Sequence, residues 1–354
     1  MIHISYFFVI IGILLLSCSD GKKEANSRSI SPRVKKNTKI ESPAQNENFI
    51  RGTAIPVSFS SSTANIDSVQ IITDNSKSSY ASSAFEFSFK DRKVGTRSMR
   101  AKVFCGGESE THYRKVIVLP ESPPEEMTYK IVNTYPHDPE DYTQGLLIKD
   151  GYLFESSGQR GRSTLKKKEI TTGKTIKVAN LDADLFGEGL AVFDDEFYQL
   201  TWTSGKGFVY NENLEQIRTF SYEVQGWGLT TLGNQFVFTD ETEKLYFMEP
   251  QSFIKQSELE VYDNDGKVDS INELEVIEGK IFANVYREDF VVVISPETGE
   301  VLQRIDFSGL LTEQESNNVD VLNGIAVDPE TGKIYVTGKY WPKLFEVTIE
   351  SKNI

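Results

Sequence analysis

Residues 144–158 read QGLLIKDGYLFESSG: a polar residue, a small apolar pair, a tight turn, then an alternating strand. The pattern returns as EGLAVFDDEFYQLTW from Glu188, WGLTTLGNQFVFTDE from Trp227, NELEVIEGKIFANVY from Asn272 and NGIAVDPETGKIYVTGK from Asn323. The starts lie 44, 39, 45 and 51 residues apart. A unit of this size cannot bury its own hydrophobic face, so the units must stack as a repeat architecture. Five copies imply five blades.

Working outward, each hairpin is followed by a second one with its own turn: LKKKEITTGKTIKVAN, GFVYNENLEQIRTFSY, KLYFMEPQSFIKQSELEV and FVVVISPETGEVLQRIDF alternate around Thr, Asn, Glu, Pro and Gly. Four strands per repeat follow. The fifth repeat ends in a single strand, KLFEVTIE, and one spare apolar segment, YKIVNTYP from Tyr129, precedes the first. Pairing the two closes a ring, which hides the sheet edges as a β-propeller does. The expected fold class is all-β, a five-bladed β-propeller over residues 127–350.

The propeller dictates where a site belongs. Gln144, Glu188, Trp227, Asn272 and Asn323 open the first strands, while Gly158, Trp202, Glu241, Tyr286 and Lys339 close the second ones. In a hairpin such residues are cross-strand neighbours, and with the first strand innermost they ring one mouth of the channel. Asn and Gln also satisfy backbone groups at strand starts, and aromatics plug channels. Convergence of a carboxylate, carboxamides, aromatics and a lysine on one concave rim favours a pocket.

The strings YTQGL, FGEGL, LTW, GWGLT, NELE, FANVY, VLNGIA and TGKYWP, in this order from about Tyr129 to Thr348, resemble the glutamine cyclotransferase family of plant and bacterial type. The resemblance implies a five-bladed propeller that converts the N-terminal glutamine of a peptide to pyroglutamate with loss of ammonia. By motif it makes Glu188 the proton-transfer carboxylate, with Gln144, Asn272 and Lys339 in polar positions of the pocket and Phe186, Trp202 and Trp227 in aromatic ones. Tyr142 and Tyr286 stand where the family's pattern has Phe and Trp. With Asn323, these residues form the expected substrate pocket, and Glu188, Lys339 and Asn272 its catalytic part.

The residues themselves suit that chemistry. The α-amine attacks its own side-chain amide, so both reactants arrive in one molecule. The amine must be neutral, with an ordinary pKa of roughly 7.7–8.0, and the departing nitrogen needs a proton. One carboxyl raised by burial can carry that proton both ways, while Lys339 or the Asn272 amide holds the developing oxyanion.

No cofactor is expected, because no step needs a Lewis acid. His3, His112 and His137 are the three histidines, none in zinc spacing. The rim oxygens leave room for a structural cation such as calcium in the channel. Two alternatives follow: a calcium-dependent propeller lactonase or hydrolase, and a non-catalytic propeller that binds peptide N-termini.

The chain begins with an apolar run, Tyr6 to Leu16, too short to span a bilayer and sized for a signal peptide. It ends in LLSC, which places Cys18 where bacterial lipoproteins are cleaved and acylated. Residues 1–18 are thus expected to be a lipoprotein signal peptide and residues 19–48, with seven basic and four acidic residues, a flexible tether. A lipid-anchored protein of the bacterial cell envelope is the expected setting. Residues 49–120 alternate in short strands and fit a small immunoglobulin-like β-sandwich, joined by a linker at 121–126. Net charge is −14 overall and −18 in the propeller segment, which argues against a nucleic-acid partner. Peptides or proteins with N-terminal Gln, and the membrane, are the expected partners.

Overall fold

The computed structural model describes residues 36–74 and 76–352. The expected signal peptide, Cys18 and most of the expected tether lie outside the described residues.

Eight strands form the first unit: β1 (Thr38–Ser42), β2 (Glu47–Ile50), β3 (Ile55–Ser61), β4 (Ile66–Thr73), β5 (Ser76–Tyr80), β6 (Ala84–Phe87), β7 (Gly95–Cys105) and β8 (Glu108–Leu119). They divide into two sheets, β1-β3-β6 and β2-β8-β7-β4-β5, with β2 parallel to β8. Period-2 alternation turns Ile55, Val57 and Phe59 of one sheet toward Val69, Ile71, Met99, Val103 and Val116 of the other, giving one shared core. Residues 38–48, expected in the tether, therefore belong to the sandwich. TKIES is too polar to read as a strand, yet the backbone N–H and hydroxyl of Thr38 donate to Glu110 and Ile40 packs on the core, so tertiary contacts order it.

The linker is shorter too, since Glu125 already begins β9 (Glu125–Pro136). The five repeats then appear as four-stranded blades. Blade 1 is β10 (Thr143–Lys149), β11 (Tyr152–Ser157), β12 (Thr164–Glu169) and β13 (Thr175–Asn180); blade 2 is β14 (Gly187–Phe193), β15 (Glu196–Thr201), β16 (Lys206–Tyr210) and β17 (Gln216–Ser221). Blade 3 is β18 (Leu229–Leu232), β19 (Gln235–Phe238), β20 (Lys244–Met248) and β21 (Lys255–Glu260); blade 4 is β22 (Ile271–Ile277), β23 (Lys280–Val285), β24 (Phe290–Ile294) and β25 (Val301–Asp306). Blade 5 has β26 (Leu322–Val327), β27 (Ile334–Gly338) and β28 (Lys343–Ser351), and takes β9 as its fourth strand.

That pairing is the expected closure. β9 and β28 run antiparallel from Met127↔Ser351 to Pro136↔Lys343. β9 also pairs in parallel with β25, which joins blades 4 and 5 into one eight-stranded sheet. The first strands β10, β14, β18, β22 and β26 are neighbours around a ring, so they are innermost. Apolar cores lie between blades: Val237 and Leu245 of blade 3 pack with Leu274, Ile281 and Val292 of blade 4.

The inner strands touch backbone to backbone. A Cβ at Gly228 would stand 2.0 Å from the carbonyl oxygen of Asn272, so only glycine fits there. Blade 4 has Glu273 at the matching place, and its buried carboxyl accepts from Leu146 N–H (3.2 Å) and Ile325 N–H (2.9 Å) across the axis. The sandwich sits against the outer side of blades 3 and 4, where Val94 and Leu119 pack on Tyr262 and Arg51 pairs with Glu300 at 2.5 Å.

Candidate active site

In four blades the innermost strand slips register at its start: between Thr143 and Gly145, Gly187 and Leu190, Ile271 and Leu274, and Leu322 and Ile325. The residues released from the ladder include Gln144, Glu188, Asn272 and Asn323. A bulge re-aims a side chain that a regular strand would commit to one face. In blade 3 Trp227 lies just before β18, with its N–H on Thr239 O at 3.0 Å.

The bulges correct the expected pairing. The closing residues do not face the opening ones: Gly158 N–H donates to Tyr142 O (2.8 Å), Trp202 to Phe186 O (3.0 Å), Tyr286 to Ser270 O (2.9 Å) and Lys339 to Val321 O (2.9 Å). The partner stands two residues earlier, and the bulge takes up the difference. This brings Tyr142 and Phe186 to the mouth beside the opening residues.

A cavity of about 260 Å³ opens there, lined by Tyr142, Gln144, Phe186, Glu188, Trp202, Trp227, Asn272, Tyr286 and Lys339, with Gln159 and Glu241. Nine of the ten expected pocket residues therefore converge, as does the rim position Glu241. Asn323 does not line the cavity. Its Nδ2 donates to Thr143 O (2.9 Å) and Gln144 Oε1 (3.4 Å), which places it behind Gln144. Gly158 is likewise a spacer, since a Cβ there would stand 2.3 Å from the Phe186 ring.

Glu188 is buried, and one of its oxygens is held: Gln144 Nε2 donates to Oε1 at 2.9 Å. Its Oε2 has no partner. Burial drives its pKa well above the ordinary carboxylate value, against the opposing pull of Lys339 and the Gln144 hydrogen bond. Lys339 is also buried, and loss of hydration lowers its pKa to about 8, although Glu188 and Asp320 draw it upward. Its Nζ stands 4.8 Å from the Tyr142 ring centre and 5.1 Å from that of Tyr286. The two tyrosines that depart from the family's pattern thus cradle the ammonium through their π faces.

Phe186 packs edge-on against Tyr142 (6.0 Å between centroids) and Trp202 (5.7 Å), and Trp227 against Tyr286 (5.5 Å). Asn272 Oδ1 is buried without a partner, a polar atom left for a ligand.

Three contributors had no motif. Gln159 and Glu241 carry positive φ, 98° and 81°, where the chain leaves its second strand. Burial, and next to it the negative charge of Asp320, raises the Tyr142 pKa. Position relative to the repeat already points to Glu241, which closes the second strand of its hairpin, whereas Gln159 and Asp320 carry no signal of their own.

Residues 137–141, HDPED, form a turn, with Asp141 N–H on Asp138 O at 3.0 Å, and His137 enters a buried cluster with Asp141 and Glu155. Its Nδ1 meets Trp341 O at 2.7 Å and its Nε2 meets Glu155 at 3.1 Å. The Lys168 ammonium pairs with both carboxylates there, so a side-chain cation already serves them. The cluster braces the Tyr142–Gln144 segment, since Thr143 Oγ1 donates to Glu155 at 2.6 Å.

A five-bladed ring with a desolvated carboxyl, an ammonium and carboxamides in an aromatic-walled cavity at its channel mouth defines a propeller of enzyme type. The chain matches the glutamine cyclotransferase family over residues 103–349, and it belongs to that family. It is 37% identical over 230 residues to the glutaminyl-peptide cyclotransferase of Arabidopsis thaliana, a match that covers 63% of this chain and 72% of the relative. It also resembles the crystal structure of Myxococcus xanthus glutaminyl cyclase, with a TM-score of 0.60 and 36% identity over 65% of this chain and 100% of that one.

Proposed function

We propose that this chain converts the N-terminal glutamine of peptides or proteins to pyroglutamate with release of ammonia. The observation that carries the reading is Glu188: a buried carboxyl fixed through one oxygen, free at the other, inside a cavity walled by aromatics. The neutral α-amine attacks the side-chain amide carbon and passes one proton to Glu188 Oε2. The tetrahedral oxyanion is met by the Lys339 ammonium. Glu188 then returns the proton to the amide nitrogen, the carbon–nitrogen bond breaks, and ammonia departs as the five-membered lactam forms. Phe186, Trp202 and Trp227 hold the glutamine side chain folded back and exclude water, so proximity supplies much of the rate. No step in this scheme calls on a metal.

The setting belongs to the same reading. The apolar run before Cys18 supports lipidation there and attachment to the bacterial cell envelope. The strand order β1-β3-β6 over β2-β8-β7-β4-β5, with its parallel β2–β8 edge, supports an immunoglobulin-like sandwich. The test is to incubate the purified chain with a Gln-initiated dipeptide and measure ammonia and pyroglutamyl product. Binding of the dipeptide without ammonia release would leave a peptide-binding propeller instead.

A further inference from the structure

We propose that the outer face of the five-stranded sandwich sheet docks on an anionic phospholipid bilayer. Register places Lys77, Ile72, Arg100 and Tyr113 in one row across β5, β4, β7 and β8. Lys102 and Lys115 stand on the same face in adjacent rows, because their strand neighbours Ala101, Val103 and Val116 are buried in the core. Four cations thus share a face whose paired positions hold no carboxylate, in a chain with 52 acidic and 38 basic residues.

The nearby acids are turned away or lie at the ends. Glu110 pairs with core-facing Val103 and its carboxylate is spent on Asn37 and Thr38. Asp67 sits in the bulge of β4, Asp74 in the turn after it, and Glu108 at the start of β8. Among the described residues none of the four cations makes a salt bridge. Tyr113 is 72% exposed in the middle of the patch. An amphipathic ring among cations suits a headgroup layer, where tyrosine and lysine both anchor. Net acidity elsewhere would repel such a surface, which makes the segregation of these charges the informative feature.

Chain length agrees with this occupant. If Cys18 carries a lipid, the 18 residues from Ser19 to Lys36 limit the separation of membrane and sandwich to at most roughly 60–65 Å. The sandwich, nearest in sequence to that anchor, then works at high effective concentration over the bilayer.

The experiment uses residues 19–354, which lack both the apolar run Tyr6–Leu16 and Cys18, so that neither insertion of that run nor an acyl group contributes. It is sedimented with phosphatidylcholine vesicles that contain phosphatidylglycerol, and with pure phosphatidylcholine vesicles. Binding should require the anionic lipid, weaken as salt is raised, and fall about fivefold for each cation neutralised. Arg100→Gln with Lys102→Gln should lose about 25-fold while keeping the wild-type melting temperature. Lys77→Gln with Lys115→Gln should repeat the loss at independent positions. Equal binding to both vesicles, no binding to either, or full binding by both double variants at unchanged melting temperature overturns the proposal. Failure to bind anionic vesicles would return the face to an acidic protein partner. None of these readouts depends on cyclisation, so the bilayer proposal and the activity stand or fall separately.

Discussion

Glu188 has one oxygen engaged and one free, and that asymmetry decides what its substitution does. Glu188→Gln keeps shape and leaves an amide beside Gln144, but it removes the proton carrier. The expected outcome is a fall in kcat of about 100- to 10,000-fold with a much smaller change in KM, measured by ammonia release. Turnover within about threefold of wild type would reduce Glu188 to a structural rim residue. Lys339 sets the other limb. Burial lowers its pKa to about 8, so the ammonium is present below that value and lost above it, and kcat should fall as pH rises through about 8. Lys339→Arg should move that limb upward whatever its absolute rate, because a guanidinium stays charged across the range. At this scale the sequence was legible in residue types, since chemistry and motif single out Glu188 and Lys339. It was not legible for Asn323, whose turn behind Gln144 depends on a bulge that no single residue announces.

The strands themselves could be read because alternation and turn residues repeat five times, each copy supporting the others. The bulges could not, because a bulge changes which residues face one another without changing the alternation that reveals the strand. TKIES escaped for the opposite reason: it has little pattern of its own and is ordered by Glu110 and the sandwich core. The close approach of inner strands gives a prediction at the same scale. Gly228→Ala drives a methyl into the Asn272 carbonyl, which is backbone and cannot swing aside. It should cost about 1–3 kcal/mol or more and lower Tm by several degrees in a thermal melt. It should also depress turnover, since Asn272 lines the cavity.

Across the whole molecule two features tie the ring together. Glu273 spans the axis between blades 1 and 5, and burial raises its pKa well above the ordinary value, although the N–H groups of Ile325 and Leu146 pull it down. The folded chain therefore holds this proton to higher pH than the unfolded chain. The stabilisation is complete below roughly 4.3, the ordinary glutamate value, and is lost as pH rises through the folded-state pKa. The Tm of the wild type minus that of Glu273→Gln should decline steadily from pH 4 to pH 9, and a constant gap would show that the carboxyl titrates alike in both states. The second tie is β9. In calorimetry a chain starting at Asp138 should lose the cooperative unfolding expected of one starting at Pro124, because blade 5 is left with three strands and blade 4 loses its parallel neighbour. β9 also decides how the molecule answers to force. Tension arriving from the N-terminal side is borne by the sandwich and its Val94–Tyr262 contact and, once these part, runs into β9 at Glu125. Met127 of β9 stands opposite Ser351 of β28, so a pull along β9 loads the nine pairs together in shear, while a pull across it opens them one after another from that end. The strand that closes the ring is thereby also its load path, the one through which any pull on the propeller's N-terminal side enters the seam.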